Sequence, residues 1–357
     1  MASPKSRKTT IYTLSEQAGV SPSTVSRALS NAPGISVEVR ERIQHLARKN
    51  SFRPRVVTSR APNICALIQQ YPVNMNSYLL FVIEGIAEYC QEENLEMSLF
   101  AANIEEFNRV DIVREFRRRN ADGAIILQSS RETRFMQALN ASNFPYYSVL
   151  NNPPNQRGAR LLTVDNHKVA VTAMQYLLKL GHRRIAALSN HLVVPTGQDR
   201  LEGYLRTLKK AGIKPDEQLI QVCNPGENGL EFGFESVRSL LKERPDITAI
   251  FSFAHNMAIG AMRACHELGV RIPQDVSLLT CDDFPMNQFL CPALTAIPIP
   301  YHQLGYQAAR QVHRMIRNLP ELPNDSVVEQ VGEMVVREST APPRSAGNLR
   351  LPKKKVI

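Results

Sequence analysis

From Asn63 onward, short runs of consecutive apolar residues alternate with amphipathic segments of helical period, and this alternation limits the fold more than any other feature of the chain. Candidate strands are Ile64–Ile68, Leu95–Phe100, Gly123–Leu127, Tyr146–Leu150, Arg184–Leu188, Ile247–Phe251 and Val276–Thr280. The helical pattern between them covers Leu79–Glu92, Phe107–Asn120, His167–Leu180, Arg200–Ala211 and Asn256–Leu268. Strands that are apolar along their whole length need cover on both faces, which a parallel sheet flanked by helices provides. Seven or more such units exceed one comfortable sheet, so two doubly wound subdomains are expected. No apolar run reaches the roughly 18 residues of a spanning helix. The N-terminal MASPKSRKTT is charged with no apolar stretch after it, which argues against a signal peptide.

Residues 10–50 follow a different pattern, that of three short helices. Thr10 can cap a helix over Ile11–Ala18 that Gly19 ends. Ser21 caps a second helix, with Pro22 at the first position, where a missing N–H costs nothing. It runs to about Ser30, before Asn31-Ala32-Pro33-Gly34. Ser36 opens a third, with Val39, Ile43 and Leu46 spaced for one buried face. Helix, glycine turn and helix form the skeleton of a helix-turn-helix unit. In the second helix Val25, Ala28 and Leu29 share one face, and Pro22, Ser23, Ser26 and Arg27 the other. Arg27 can bond a guanine bidentately, while Ser21, Thr24 and Ser26 with the helix-start amides suit phosphates.

Charge supports that reading. The 357 residues carry a net +10, but residues 1–62 hold 11 Lys/Arg against 3 Asp/Glu. Residues 342–357 hold 5 basic residues and no acid, and the stretch between is net −3. A basic head on a mildly acidic body points to a polyanion read by one end. The six cysteines form no C-x-x-C pair and suit buried, reduced thiols in a cytoplasmic protein. An enzyme is the rival class. The chain has no G-x-G-x-x-G after a strand, no G-x-x-x-x-G-K-[ST], no G-x-S-x-G and no close histidine pair. No catalytic residue, metal or cofactor is therefore assigned.

The segment Ala18-Gly19-Val20-Ser21-Pro22-Ser23-Thr24-Val25-Ser26-Arg27 resembles the headpiece signature of the LacI/GalR repressors. Similarity continues through Gly181-His182-Arg183-Arg184-Ile185, Asp199-Arg200-Leu201-Glu202-Gly203-Tyr204 and Asp282-Asp283 to Val336-Arg337-Glu338-Ser339-Thr340. The resemblance implies an N-terminal all-α helix-turn-helix headpiece plus a two-subdomain, doubly wound, type I periplasmic-binding-protein-like α/β body. It divides the chain into a headpiece at 1–50, a linker at 51–62, an effector-binding and dimerisation domain at 63–340, and a disordered basic tail at 341–357. The chain would cross between subdomains near 165, 297 and 325. The implied function is a cytoplasmic, nucleoid-associated regulator, dimeric on a palindromic double-stranded operator and modulated by a small, carbohydrate-like effector. The alternative is a ligand-independent regulator whose body only dimerises.

By the same resemblance Pro22, Ser23 and Arg27 take base-reading positions, and Arg200 and Asp282 contact effector. Asn76 and Tyr78, in the loop after the first strand, and Asn151, at the end of another, are weaker matches. Three departures stand out. The linker has Ala61-Pro62 where the family has a wedging leucine, so Arg55 and Arg60 should supply charge to DNA rather than shape reading. The family's A-N-D is Phe253-Ala254-His255, which places an aromatic by the cleft. Its R-Q-P is Pro298-Ile299-Pro300. His182 suits a structural role at a helix-to-strand junction.

Overall fold

A computed structural model describes residues 10–29, 35–50, 61–69, 78–102, 109–127, 134–150, 160–192, 194–320, 332–345 and 349. Two compact units divide near Ala61 and Pro62. The first holds α1 (Ile11–Ala18), α2 (Pro22–Leu29) and α3 (Val37–Lys49). Their small core is Leu14, Ala18, Val25, Ala28, Ile43 and Ala47, with Val39 and Leu46 half-buried against it.

The second unit contains two five-stranded sheets. One has the order β2-β1-β3-β4-β5, formed by β1 (Asn63–Gln69), β2 (Glu96–Ala102), β3 (Gly123–Leu127), β4 (Tyr146–Val149) and β5 (Leu161–Leu162). The other has the order β10-β9-β8-β6-β7, formed by β6 (Ile185–Ser189), β7 (Ile220–Val222), β8 (Ala249–Ser252), β9 (Ser277–Cys281) and β10 (Thr295–Ile297). Every strand pairing within them is parallel. Ile64, for example, sits between Met97 and Gly123. The central strands β3, β6 and β9 are buried along their whole length, as continuous apolar runs require.

Helices cover the sheets: α4 (Tyr78–Glu92), α5 (Ile112–Arg118), α6 (Arg134–Ala141), α7 (Asn166–Lys179), α8 (Pro195–Lys210), α9 (Gly229–Glu243), α10 (His255–Leu268) and α11 (Tyr301–Ile316). Helix pairs make close backbone contact through glycine. A Cβ on Gly85 of α4 would lie 1.9 Å from the His302 carbonyl oxygen, and one on Gly305 of α11 would lie 2.0 Å from that of Val82. The α9–α10 pair repeats the device at Gly233 and Gly260.

The chain passes to the second sheet after β5, and returns after β10 to α11, which packs on α4, β3 and β4 of the first. It reaches the second lobe again at Val335, which bridges Ala296. One apolar cluster runs through both lobes, from Ile64 and Val82 by way of Leu304 to Phe251 and Leu279. Separate clusters fill the outer faces.

Three readings need correction. Arg200 does not open its helix: α8 starts at Pro195, which is well suited to the first turn, so Arg200 lies inside it. Tyr78 is the first residue of α4 rather than a loop residue. The described part of 341–357 is docked rather than loose. Buried His182 lies 2.9 Å from the Ala341 carbonyl oxygen and 3.0 Å from Thr248 Oγ1. Arg344 donates to the carbonyls of Pro245, Ile247 and Asp275, and buried Leu349 donates its N–H to Pro245. These loop carbonyls are capped by the Arg344 guanidinium and the Leu349 N–H, so the prolines between Ala341 and Arg344 need donate nothing, which is why the composition misleads. Five cysteines are buried and Cys291 is exposed; burial pushes the Cys90 thiol up to about 11.

Gly305→Ala should lower unfolding stability by about 2 kcal/mol, since the added carbon must force apart two packed backbones. Urea denaturation of the full chain checks this; an unchanged midpoint would mean that the helices separate freely.

Candidate DNA-reading head and effector cleft

The head is organised by its caps. Thr10 and Thr13 form a reciprocal capping box on α1, with bonds of 2.7 and 3.3 Å. Gly19 closes that helix at φ 65°, a left-handed conformation that glycine adopts without strain. Ser21 then caps α2, accepting from the Thr24 N–H at 3.2 Å. Its Oγ also lies 2.8 Å from Ser23 Oγ and 2.9 Å from Thr24 Oγ1. Ser21 and Thr24 are thus engaged at the helix start, so their first role is to hold α2 in place. With Val25 and Ala28 buried, α2 exposes Ser23, Ser26 and Arg27, while Pro22 and Thr24 are half-buried. Arg55 and Arg60 of the linker lie outside the described residues.

In the body, the ends of three adjacent strands converge. β6 leads to α8 and Arg200, β8 to Phe253 and His255, and β9 to Asp282, which adopts φ 73°. Arg200 and Asp282 are each only 4% exposed. Arg200 Nε donates to Asn166 Oδ1 at 2.9 Å, and its Nη1 donates to the Phe253 carbonyl. Asp282 Oδ1 accepts the Tyr301 hydroxyl at 2.5 Å, and Oδ2 lies 3.4 Å from the His255 N–H. Burial, and then the charge of Asp282, push the Tyr301 pKa well above its ordinary value, so the phenol keeps its proton and donates. Burial lowers the His255 pKa against the opposing pull of Asp282, which favours a neutral ring.

Aromatic rings line the seam. Tyr78 stacks on Tyr301 at 5.1 Å between centroids, Phe81 on Phe284 at 5.1 Å, and His255 meets Phe284 edge-on at 4.9 Å. The structure therefore brings Tyr78, Arg200 and Asp282 into one site. Phe253 contributes its carbonyl to it, while its ring is fully buried against Phe251. Asn76 and Asn151 lie outside the described residues. Sequence reasoning missed Tyr301, Asn166, His255 and Phe284 as members of this site. Among the described residues no cluster of three metal-ligating side chains occurs, and no helix is long and apolar enough to cross a membrane.

Residues 10–55 match the family of bacterial regulatory proteins of the lacI type, and residues 174–340 match a periplasmic binding protein-like domain. The probable HTH-type transcriptional repressor ExuR of Bacillus subtilis is 28% identical over 337 residues, covering 92% of this chain and 98% of that protein. The HTH-type transcriptional repressor CytR of Escherichia coli K12 is 27% identical, covering 82% of this chain and 85% of the repressor. The fold is that of the lac repressor dimer bound to operator, with a TM-score of 0.72 and 21% identity over 94% of this chain and all of that one. It is also that of the CelR–cellobiose complex, with a TM-score of 0.67 and 24% identity over 93% and 99%. A helix-turn-helix head joined to a type I periplasmic-binding-protein-like body defines a DNA-binding transcriptional regulator. The chain carries a lacI-type DNA-binding domain and a periplasmic binding protein-like domain, and its relatives are transcriptional regulators of that build.

Replacing Arg200 with Met should cost roughly 3 kcal/mol of stability, because the Asp282 carboxylate would stay buried without its neighbouring cation. Chemical denaturation measures it; a loss below about 1 kcal/mol would show that Asp282 does not depend on Arg200.

Proposed function

We propose that this chain is a repressor that binds a palindromic operator as a dimer and responds to a small-molecule effector between its lobes. The observation that carries the reading is α2, which exposes Ser23, Ser26 and Arg27 opposite a buried Val25 and Ala28. Pro22, Ser23 and Arg27 read bases, and hydroxyls and amides at the helix start meet phosphates. Arg55 and Arg60 add backbone charge. The operator-bound lac repressor dimer and the cellobiose complex of CelR support the same reading for this chain. Phe289, 79% exposed on the body, offers apolar surface to a second copy. Effector contacts fall to Arg200, Asp282 and Tyr78, joined by Asn76 and Asn151.

Mechanistically, an effector that prefers one spacing of the lobes shifts their equilibrium, and the linkers transmit this to the paired heads. Such coupling is about 1–3 kcal/mol. A second reading is a regulator that binds DNA without any ligand. It is favoured by the side chains of Arg200 and Asp282 already having partners within the chain.

Arg27→Ala should relax base preference at one position in each half-site, at a cost of about 1–3 kcal/mol there. Binding selection on randomised DNA reads this, and an unchanged motif would remove Arg27 from base reading. A thermal-shift screen against small metabolites separates the two readings of the body. The first predicts a ligand that raises the melting temperature and alters operator affinity. The second predicts operator binding that no compound changes.

A further inference from the structure

We propose that Tyr301 determines what the cleft accepts, because its phenol occupies the position of an effector hydroxyl on Asp282 and any effector must replace it. The inference rests on the effector reading above and adds the competitor built into the site.

The bond joins the two lobes. Tyr301 begins α11, which packs on α4 and the first sheet, whereas Asp282 follows β9 of the second. The 2.5 Å bond is made between buried groups, where a charge-assisted hydrogen bond is strong. Its neighbours reinforce the position. The Tyr301 ring is held by Tyr78 at 5.1 Å and faces Phe284 at 6.2 Å, and Phe284 in turn stacks on Phe81 of the first lobe. Arg200 bonds Asn166, the Phe253 carbonyl and the Tyr301 hydroxyl, and Asp282 bonds Tyr301 and the His255 amide. The site thus holds a buried cation and anion that share the Tyr301 hydroxyl.

A newcomer must match what it displaces. It has to bring a hydrogen-bond donor to Asp282 Oδ1 and a flat apolar face to Tyr78 and Phe284. A molecule without the donor would leave a buried carboxylate oxygen unpaired and be rejected. Losing the phenol leaves Asp282 in need of a donor and Arg200 of an acceptor, which one hydroxyl supplies together, so a neutral hydroxylated ring fits better than an ionised phosphate or carboxylate.

Tyr301→Phe keeps the ring and its stacks while removing the hydroxyl that donates to Asp282 and also bonds Arg200. Hydrogen–deuterium exchange on the ligand-free, full-length protein reads the result. The amide of His255 and those of 282–300 should exchange about tenfold faster in the variant, equivalent to 1.4 kcal/mol of easier opening, with α1–α3 unchanged. Equal exchange in both proteins overturns the proposal. Should the variant fail to fold, Asp282→Asn removes the charge from the same bond and is expected to raise exchange over the same residues; no change there overturns it equally.

A thermal-shift panel of cellobiose, adenosine, galacturonate and glucose 6-phosphate tests the underlying reading separately. A compound that binds both proteins should bind Tyr301→Phe about tenfold more tightly, again about 1.4 kcal/mol, and equal or weaker binding contradicts the competition. Binding to neither protein counts against the effector reading, while the exchange result still decides whether Tyr301 holds the lobes.

Discussion

Parallel strand pairing is the constraint from which the body follows. A parallel pair cannot be closed by a hairpin, so each strand is followed by a crossover, and the crossovers cover the sheets. The same rule sends the carboxyl ends of neighbouring strands to one edge, where open α/β sheets bind their ligands. In the second sheet β6, β8 and β9 are adjacent, and the segments that leave them carry Arg200, His255 and Asp282. The next strand, β10, delivers the chain to Tyr301. Residues separated by 101 positions therefore meet in one site, with Asp282 turned into it at φ 73°.

Burying Asp282 and Arg200 is costly, and the seam is arranged to offset that cost. Each charge has hydrogen-bonding partners, and stacked rings exclude water around them. The shared apolar cluster ties the two lobes together on either side of this polar centre. The head solves a different problem. Its core is six buried side chains, so much of its definition comes from caps at Thr10, Gly19 and Ser21. Caps fix where α2 begins, and so which residues it presents. Recognition in the head thus rests on local hydrogen bonds, whereas the cleft rests on long-range convergence.

That difference explains what could be read from sequence. The caps Thr10 and Ser21, the Gly19 turn and the face containing Val25 and Ala28 are local, and all are present as read. Gly123–Leu127 was legible to the residue because a fully buried strand has no polar interruption. The short strands β5, β7 and β10 carry only two or three residues each, too few for a period. Motif resemblance singled out Arg200 and Asp282, which the structure buries near one another. Tyr301 was not singled out, because its role arises only when α11 returns to the first lobe and points its first residue across the seam. The strap through Ala341 and Arg344 was misread for a related reason: its prolines look like disorder until the carbonyls of the second lobe are there to receive it.

The central claim is that the head reads a defined DNA sequence on behalf of a paired body. The most direct measurement is selection of bound fragments from random duplex DNA by the full-length wild-type protein, followed by sequencing and titration of the winners against salt. The account predicts an inverted repeat of two matching half-sites. Affinity for it should fall by about 10³–10⁵ between 50 and 200 mM salt for ~6–10 phosphate contacts. Selected fragments sharing no motif, bound no better than random DNA, would contradict it.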